Sequence, residues 1–445
     1  MKKLFLLLAL LGMVATGCST DEGGGEDNIP ENIFIGLDKE SVTISPDGGS
    51  VDVVVYSNYK WEISGVSDWC TPSVKKGAAN EDGQKVTFSA DVADADREAT
   101  FWFRCADKQI KFVVSQKSNN AIIYYTSRNS KIVQPNDSSV FGATIISNTY
   151  KDGVGVIEFD AHITTIGERA FYYCSSLTSV TIPDSVTTIG DYAFFVCSSL
   201  ESVTIPDSVT TIGNAAFVNC YDLTSVTIPD SVTTIGDSAF VSCSSLTSVT
   251  IGDSVTTIGD LAFLYCSSLT SVTIPDSVTM IGEEAFCACI SLQEFRGKFA
   301  SEDGRCLIID GTLNSFAPAG LTEYTIHNSV TTIGGSAFSY CYDLTSVTIP
   351  DSVTTIGNYT FWYCSSLTSI TIPDSVTEIG YCAFEDCSSL TSVYCKPTTP
   401  PAGNYQMFDG NASGRKIYVP MESVEAYKSA YGWSKYADAI VGYDF

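Results

Sequence analysis

Nine phenylalanines occupy the same position in a repeated segment: Phe171, Phe194, Phe217, Phe240, Phe263 and Phe286, then Phe338, Phe361 and Phe384. Within each run the step is 23 residues, and one full copy reads SVTTIGDYAFFVCSSLESVTIPDS over residues 185–208. A single copy with an L-x-x-V-x-I core cannot bury its own apolar face. Copies with a period in the twenties must stack, coil on coil, into a solenoid. Within one unit Leu177, Val180 and Ile182 point inward from a short strand, and Thr178, Ser179 and Thr181 face out. Pro183-Asp184-Ser185 turns the chain, and Val186 and Ile189 return to the core. Gly190 is expected to permit a tight bend. Ala193, Phe194 and Cys197 close the coil.

The period is interrupted once. Phe286 to Phe338 is 52 residues, two periods plus six. Glu294–Ala300 and Leu307–Ile309 read as hairpin strands within two altered coils. The array then has about eleven coils and a length of roughly 50 Å at ~4.8 Å per stacked strand. A bare terminal coil exposes its apolar face, so caps are expected at both ends, over residues 118–162 and 396–445. The second cap contains a last strand at Lys416–Val419 and a short helix at Glu422–Tyr431. The dense repeats of residues 163–395 resemble the leucine-rich repeats of the BspA-like type. That resemblance implies adhesion to host extracellular proteins or to other bacteria.

Ahead of the array, residues 33–117 alternate with period two in short stretches such as Ser41–Ser45 and Ser50–Tyr56, separated by the turn Pro46-Asp47-Gly48-Gly49. Short strands with frequent turns predict an antiparallel sandwich. Trp61, Ser67-Asp68-Trp69, Asp96-Arg97-Glu98-Ala99 and Val113-Val114-Ser115-Gln116 follow one another in an order similar to the BACON family. That likeness implies an Ig-like sandwich and a carbohydrate-binding role. Trp61 and Trp69 are read as core aromatics, with stacking on sugars as the alternative. The predicted fold class is therefore mainly β, an Ig-like sandwich followed by a leucine-rich-repeat solenoid with its two caps.

The first 32 residues read as a processing and tethering segment. Lys2 and Lys3 precede the apolar run Leu4–Ala15, which is too short to span a membrane. Ala15-Thr16-Gly17-Cys18 follows and resembles the lipobox of bacterial lipoproteins. By that resemblance residues 1–17 are removed and Cys18 is lipidated. The acidic, Gly-rich stretch 18–32 reads as a flexible tether. Acidic residues just after the lipidated cysteine resemble the export signal that places lipoproteins on the outer face of the outer membrane. The expected location is thus the outer membrane, lipid-anchored and facing the exterior.

The formal net charge is −27. Between Ile163 and Cys395 there are 24 acidic residues against four basic ones. That field repels phosphate backbones and argues against a nucleic-acid partner. His162 and His327, the only two histidines, fall at different repeat positions about seven coils apart, with no nucleophile or orienting acid at motif spacing. No catalytic residue, cofactor or metal is therefore assigned. Nine of the 16 cysteines sit at one repeat position: Cys174, Cys197, Cys220, Cys243, Cys266, Cys289, Cys341, Cys364 and Cys387. They read as buried free thiols, with inter-coil disulfides and zinc as lesser alternatives. A ladder of aspartates (Asp184, Asp207, Asp230, Asp253, Asp276, Asp351 and Asp374) reads as turn chemistry, with weak calcium binding as the alternative.

Variation between copies concentrates beside the phenylalanine. The candidate binding face is Tyr172, Tyr173, Phe195, Tyr265, Trp362 and Tyr363, because aromatics on a rigid array make good anchors. Free drift of exposed positions is the competing account. The uniform threonine-rich strand face is the rival surface. Expected partners are host or bacterial surface proteins. Glycans are the alternative, captured by the sandwich or the array.

Overall fold

The computed structural model describes residues 30–445 apart from 47, 94–95, 117, 119–120 and 137. The Cys18 expectation and the tether up to residue 29 lie outside the described residues. The chain is mainly β and divides into two compact units. The first holds the described residues up to Val92 together with Arg97–Gln116, and the second holds Ala93–Asp96 and Lys117–Phe445.

The first unit is a two-sheet sandwich. One sheet runs in the order Ile35–Leu37, Gly49–Ser57, Asn80–Ala90, Cys70–Pro72. The other runs Ser41–Ile44, Lys108–Gln116, Arg97–Cys105, Trp61–Ser64, Lys76–Gly77. Alternate residues of the longer strands turn inward and share one core. Phe88 of the first sheet meets Phe101 and Phe112 of the second at 4.9 and 5.3 Å between ring centroids. Trp61 belongs to that core, and the Arg97 guanidinium lies over the Trp69 ring at 4.6 Å. Both tryptophans are packing residues, as their positions in the sequence suggest.

The second unit opens with antiparallel strands. Ile145–Lys151 pairs with Val154–Phe159, which pairs with Ile122–Ser127, which pairs with Leu177–Thr181 of the first repeat. From there the pairing is parallel and advances by one period per step, Ser179 on Ser202 and Val180 on Val203 on one face, Thr188 on Thr211 and Ile189 on Ile212 on another. Copies with the same letters stack in register, so each core residue meets its own counterpart. The phenylalanines form a ring column, with Phe194, Phe217, Phe240, Phe263 and Phe286 stacked nearly parallel at 5.1–5.3 Å.

The glycine of each copy has a different role from the one its sequence position suggests. Gly190, Gly213 and Gly236 have ordinary negative φ, so no bend requires them. A Cβ on Gly236 would lie 2.6 Å from the backbone carbon of Gly213, and one on Gly190 would lie 2.8 Å from Glu168 N. Glycine is needed there because neighbouring coils approach too closely for any side chain.

At the interruption the sheet that runs from Thr165–Ile166 to Met280–Ile281 ends. Glu294–Gly297 still pairs parallel with Ser271–Ile274. Of the expected hairpin only the end forms, with Ala300 bridging Leu307 antiparallel, and a full hairpin follows between Cys306–Ile309 and Thr312–Phe316. Its turn, Asp310-Gly311, has φ of 49° and 80°, the two positive values that a tight two-residue hairpin demands. The 52-residue step holds two strand-face coils, and the first of them lacks the phenylalanine turn. The parallel ladders resume at Glu323–Thr325 on Ser346–Thr348 and, from the second hairpin strand, at Thr312 on Thr332 and Leu313 on Ile333. They continue beyond Cys395, through Lys416–Pro420 and Ile440–Tyr443. Phe408 stacks on Phe384 at 5.3 Å, which extends the ring column into the C-terminal segment at a step of 24 residues.

Candidate interaction surface

The turn beside each phenylalanine is built by hydrogen bonds between coils. Tyr192, Phe194 and Val196 donate their backbone N–H groups to the carbonyls of Asn214, Ala216 and Val218 in the next coil, at 2.7–2.9 Å. To aim its N–H along the stack, the chain adopts left-handed backbone two residues before and two residues after the phenylalanine, in copy after copy. Tyr192 and Val196 have φ of 55° and 57°, and Tyr359 and Tyr363 have 55° and 58°. None of these residues is glycine. Their conformation is imposed by the ladder and not by residue preference, a signal that no propensity reading could find. The geometry pushes their side chains outward in rows along the edge of the array.

Two aromatic patches result. Tyr172 stacks on Phe195 at 5.0 Å, Tyr173 lies edge-on to both, and Tyr192 meets Phe195 at 5.7 Å. Tyr173 is 59% exposed. The Arg169 guanidinium sits over Tyr172 and Tyr192 at 5.8 and 5.3 Å. The second patch centres on Tyr340, which the sequence reading left out of the candidate face. Its ring stacks on Tyr363 at 5.6 Å and contacts Tyr265, Tyr342 and Trp362 at 5.4, 5.9 and 5.2 Å. Tyr359 meets Trp362 and Tyr381. Tyr265 donates its hydroxyl to Tyr340 at 2.6 Å although 75 residues separate them. The missing turn makes this possible: Ser336 reaches Glu284 at 2.7 Å, so the turn edge closes over the interrupted coil. Coils carrying Val218-Asn219 and Val241-Ser242 lie between the two patches, so the six candidate residues form two groups.

The cysteine ladder faces the interior. All fifteen described cysteines are unpaired thiols. Cys197, Cys220, Cys243, Cys266, Cys289, Cys364 and Cys387 each donate to the phenylalanine carbonyl 26 residues back, at 3.0–3.3 Å. Burial pushes the thiols up, Cys174 to about 11 and Cys243 and Cys289 to about 12. The aspartates of Pro-Asp-Ser sit at exposed turn positions, but the following serine carries the repeated bond. Ser208, Ser231 and Ser375 each donate to a carbonyl of the previous coil at 2.6 Å. A second acidic ladder, after Ile-Gly, caps the next coil: Asn214, Asp237 and Asp260 donate their backbone N–H groups to the side chains of Asp191, Asn214 and Asp237 at 2.7–3.0 Å. Among the described residues no group of three or more ligating side chains is placed to hold a metal.

The fold brings Ser118 to His162, 2.7 Å from Oγ to Nε2. Asp96 approaches that same nitrogen at 3.5 Å. An orienting acid would have to hold the opposite ring nitrogen, so the trio lacks relay geometry. His327 bonds Ser329 locally.

The family model for the BspA type leucine-rich repeat region matches residues 155–296 and 312–436 in six copies, more than half of the chain. The chain belongs to the BspA-type leucine-rich repeat family. Among solved structures this BspA-type array is similar to a leucine-rich cell surface protein of Faecalibacterium prausnitzii A2-165, with 30% identity, 67% of this chain and 86% of that one covered, and a TM-score of 0.49. It is also similar to a leucine-rich repeat protein of Eubacterium ventriosum ATCC 27560, with 27% identity, 55% and 72% coverage and a TM-score of 0.42. A third, from Bacteroides ovatus ATCC 8483, has 28% identity, 66% and 90% coverage and a TM-score of 0.35. No curated protein matches the BspA-type chain. Among its described residues no helix is long and apolar enough to cross a membrane.

Proposed function

We propose that this BspA-type chain is a cell-surface recognition protein, held by lipid on Cys18, that binds other proteins through the aromatic edge of its repeat array. The observation that carries this reading is the second patch. Tyr265, Tyr342 and Tyr363 are 37–42% exposed on a backbone that two ladders of inter-coil hydrogen bonds keep rigid. Rigid aromatic anchors lose little entropy on binding. Tyr172, Tyr173 and Phe195 form a second anchoring group of the same kind.

The test is capture of immobilised host matrix proteins and mucin by the soluble chain. Two triple-serine variants are compared with it, one at Tyr172, Tyr173 and Phe195 and the other at Tyr265, Trp362 and Tyr363. Loss of about thirtyfold or more in affinity is expected for the variant that removes the binding patch. Unchanged capture by both variants, with native circular dichroism, would move the site to the threonine-rich strand face or to the sandwich.

A further inference from the structure

We propose that the patch around Tyr340 receives an arginine-rich segment of a partner protein, its guanidinium groups stacking on the tyrosine and tryptophan faces. This rests on the reading of the aromatic edge as a binding surface and names the chemistry of its partner.

The first argument comes from the chain itself. In the N-terminal patch a guanidinium already lies on such rings: Arg169 covers Tyr172 of its own coil and Tyr192 of the next. At the C-terminal end Arg415 lies on Phe408 and Tyr436 at 5.4 and 5.0 Å. In the Tyr340 patch Trp362 and Tyr363 stand at the repeat positions of Tyr172 and Tyr173. There Tyr359 takes the position of Arg169, against Trp362 and Tyr381. Among the described residues no cation lies over Tyr265, Tyr340, Tyr342, Tyr359, Trp362, Tyr363 or Tyr381.

The second argument is charge. From residue 306 to residue 395 the chain has eight acidic residues and no lysine or arginine. Three acids border the rings. Asp386, as the largest influence on Tyr363, holds that phenol above its ordinary range. Glu385 lies near Tyr359 and Tyr381, and Glu284 lies near Tyr359. Glu284 accepts from Ser336 and Glu385 from Gln406. Among the described residues none of the three has a cationic partner. Ring faces carry negative potential, so rings with carboxylates at their edge favour a planar cation over a neutral or acidic ligand.

The experiment titrates the full soluble chain with a short Arg-Gly repeat peptide and with the same peptide carrying citrulline, which keeps the shape and removes the charge. The arginine peptide is expected to bind, weakening as salt rises, and the citrulline peptide to bind at least about tenfold more weakly. Tyr340→Ser with Trp362→Ser and Tyr363→Ser should lose about tenfold or more, whereas the Tyr172, Tyr173, Phe195 triple variant should not. Glu385→Gln with Asp386→Asn keeps every ring and should also weaken binding, which guards against misfolding of the ring variant. Equal binding by the patch variants would assign the effect to the net charge of the chain and overturn the proposal. Equal binding of the citrulline peptide would overturn it as well. If the arginine peptide fails to bind while matrix capture still depends on the rings, the cation inference falls and the binding-surface reading stands. If neither depends on the rings, both fall.

Discussion

At the scale of single residues, the turn ladder and the thiol column make the sharpest demands. Val196 is β-branched and sits at φ 57°, a conformation such side chains rarely adopt. The next copy places Asn219 at the equivalent position with φ 60°. Val196→Asn should therefore stabilise the array by about 0.5–1 kcal/mol, read as a rise in melting temperature. The thiols predict both chemistry and pH dependence. The ladder cysteines, buried apart from the half-buried Cys174, should label slowly in native protein. Unfolded without reductant, all nine should label at once, and fewer would mean inter-coil disulfides. Folded-state values raised by burial mean that the folded chain holds protons the unfolded chain gives up. Stability is then intact below the ordinary thiol value, about 8.5, and falls as pH rises from there toward about 12. A denaturant midpoint that stays constant from neutral pH to mildly alkaline pH would contradict this.

At the scale of the coil, close approach decides what is tolerated. Gly236→Ala places a methyl 2.6 Å from the Gly213 carbonyl carbon, where backbone and not a flexible side chain must yield. A cost of about 2–3 kcal/mol is expected, with hydrogen-exchange protection falling in the two coils that meet there. The repeat period made the coil legible from the sequence alone: inward letters, turn positions and parallel register all follow from one copy meeting the next. The hairpin at the interruption was legible in principle, because Asp310-Gly311 is a strong two-residue turn signal. It was missed because the run before it, Glu294–Ala300, alternates charged and apolar residues as a strand does. That run joined the parallel sheet, where an equivalent strand was already waiting.

At the scale of the whole molecule, the array is nearly one-dimensional, and its interruption divides it. The buried residues form one cluster up to the interruption and another beyond it. Phe240→Ala should cost about 3–5 kcal/mol, because the side chain is fully buried between two stacked rings. The loss should be local. Hydrogen exchange should rise in the coils of Phe217, Phe240 and Phe263 and remain unchanged in those of Phe361 and Phe384. A uniform rise across both clusters would mean that the interruption transmits stability. The anchoring proposal is tested on the same scale. Cys18→Ser should release the chain from membranes, and persistence in the membrane fraction after a carbonate wash would refute lipid attachment.

The amino-acid sequence by itself determined the solenoid, its parallel register and the inward column of leucine, valine, isoleucine, phenylalanine and cysteine. A copy identical to its neighbour can bury its apolar letters only by stacking them on themselves. It also marked the positions beside each phenylalanine as the ones that vary. Only the tertiary structure decided what those positions become. The left-handed turns exist because hydrogen bonds between coils hold them, and no single copy encodes that. Tyr340 became the centre of a patch, with Tyr265 at its edge, because one coil lost its turn and the edges on either side closed together. That closure joins residues 75 apart. It depends on the shape of an interruption that the period could locate but could not fold.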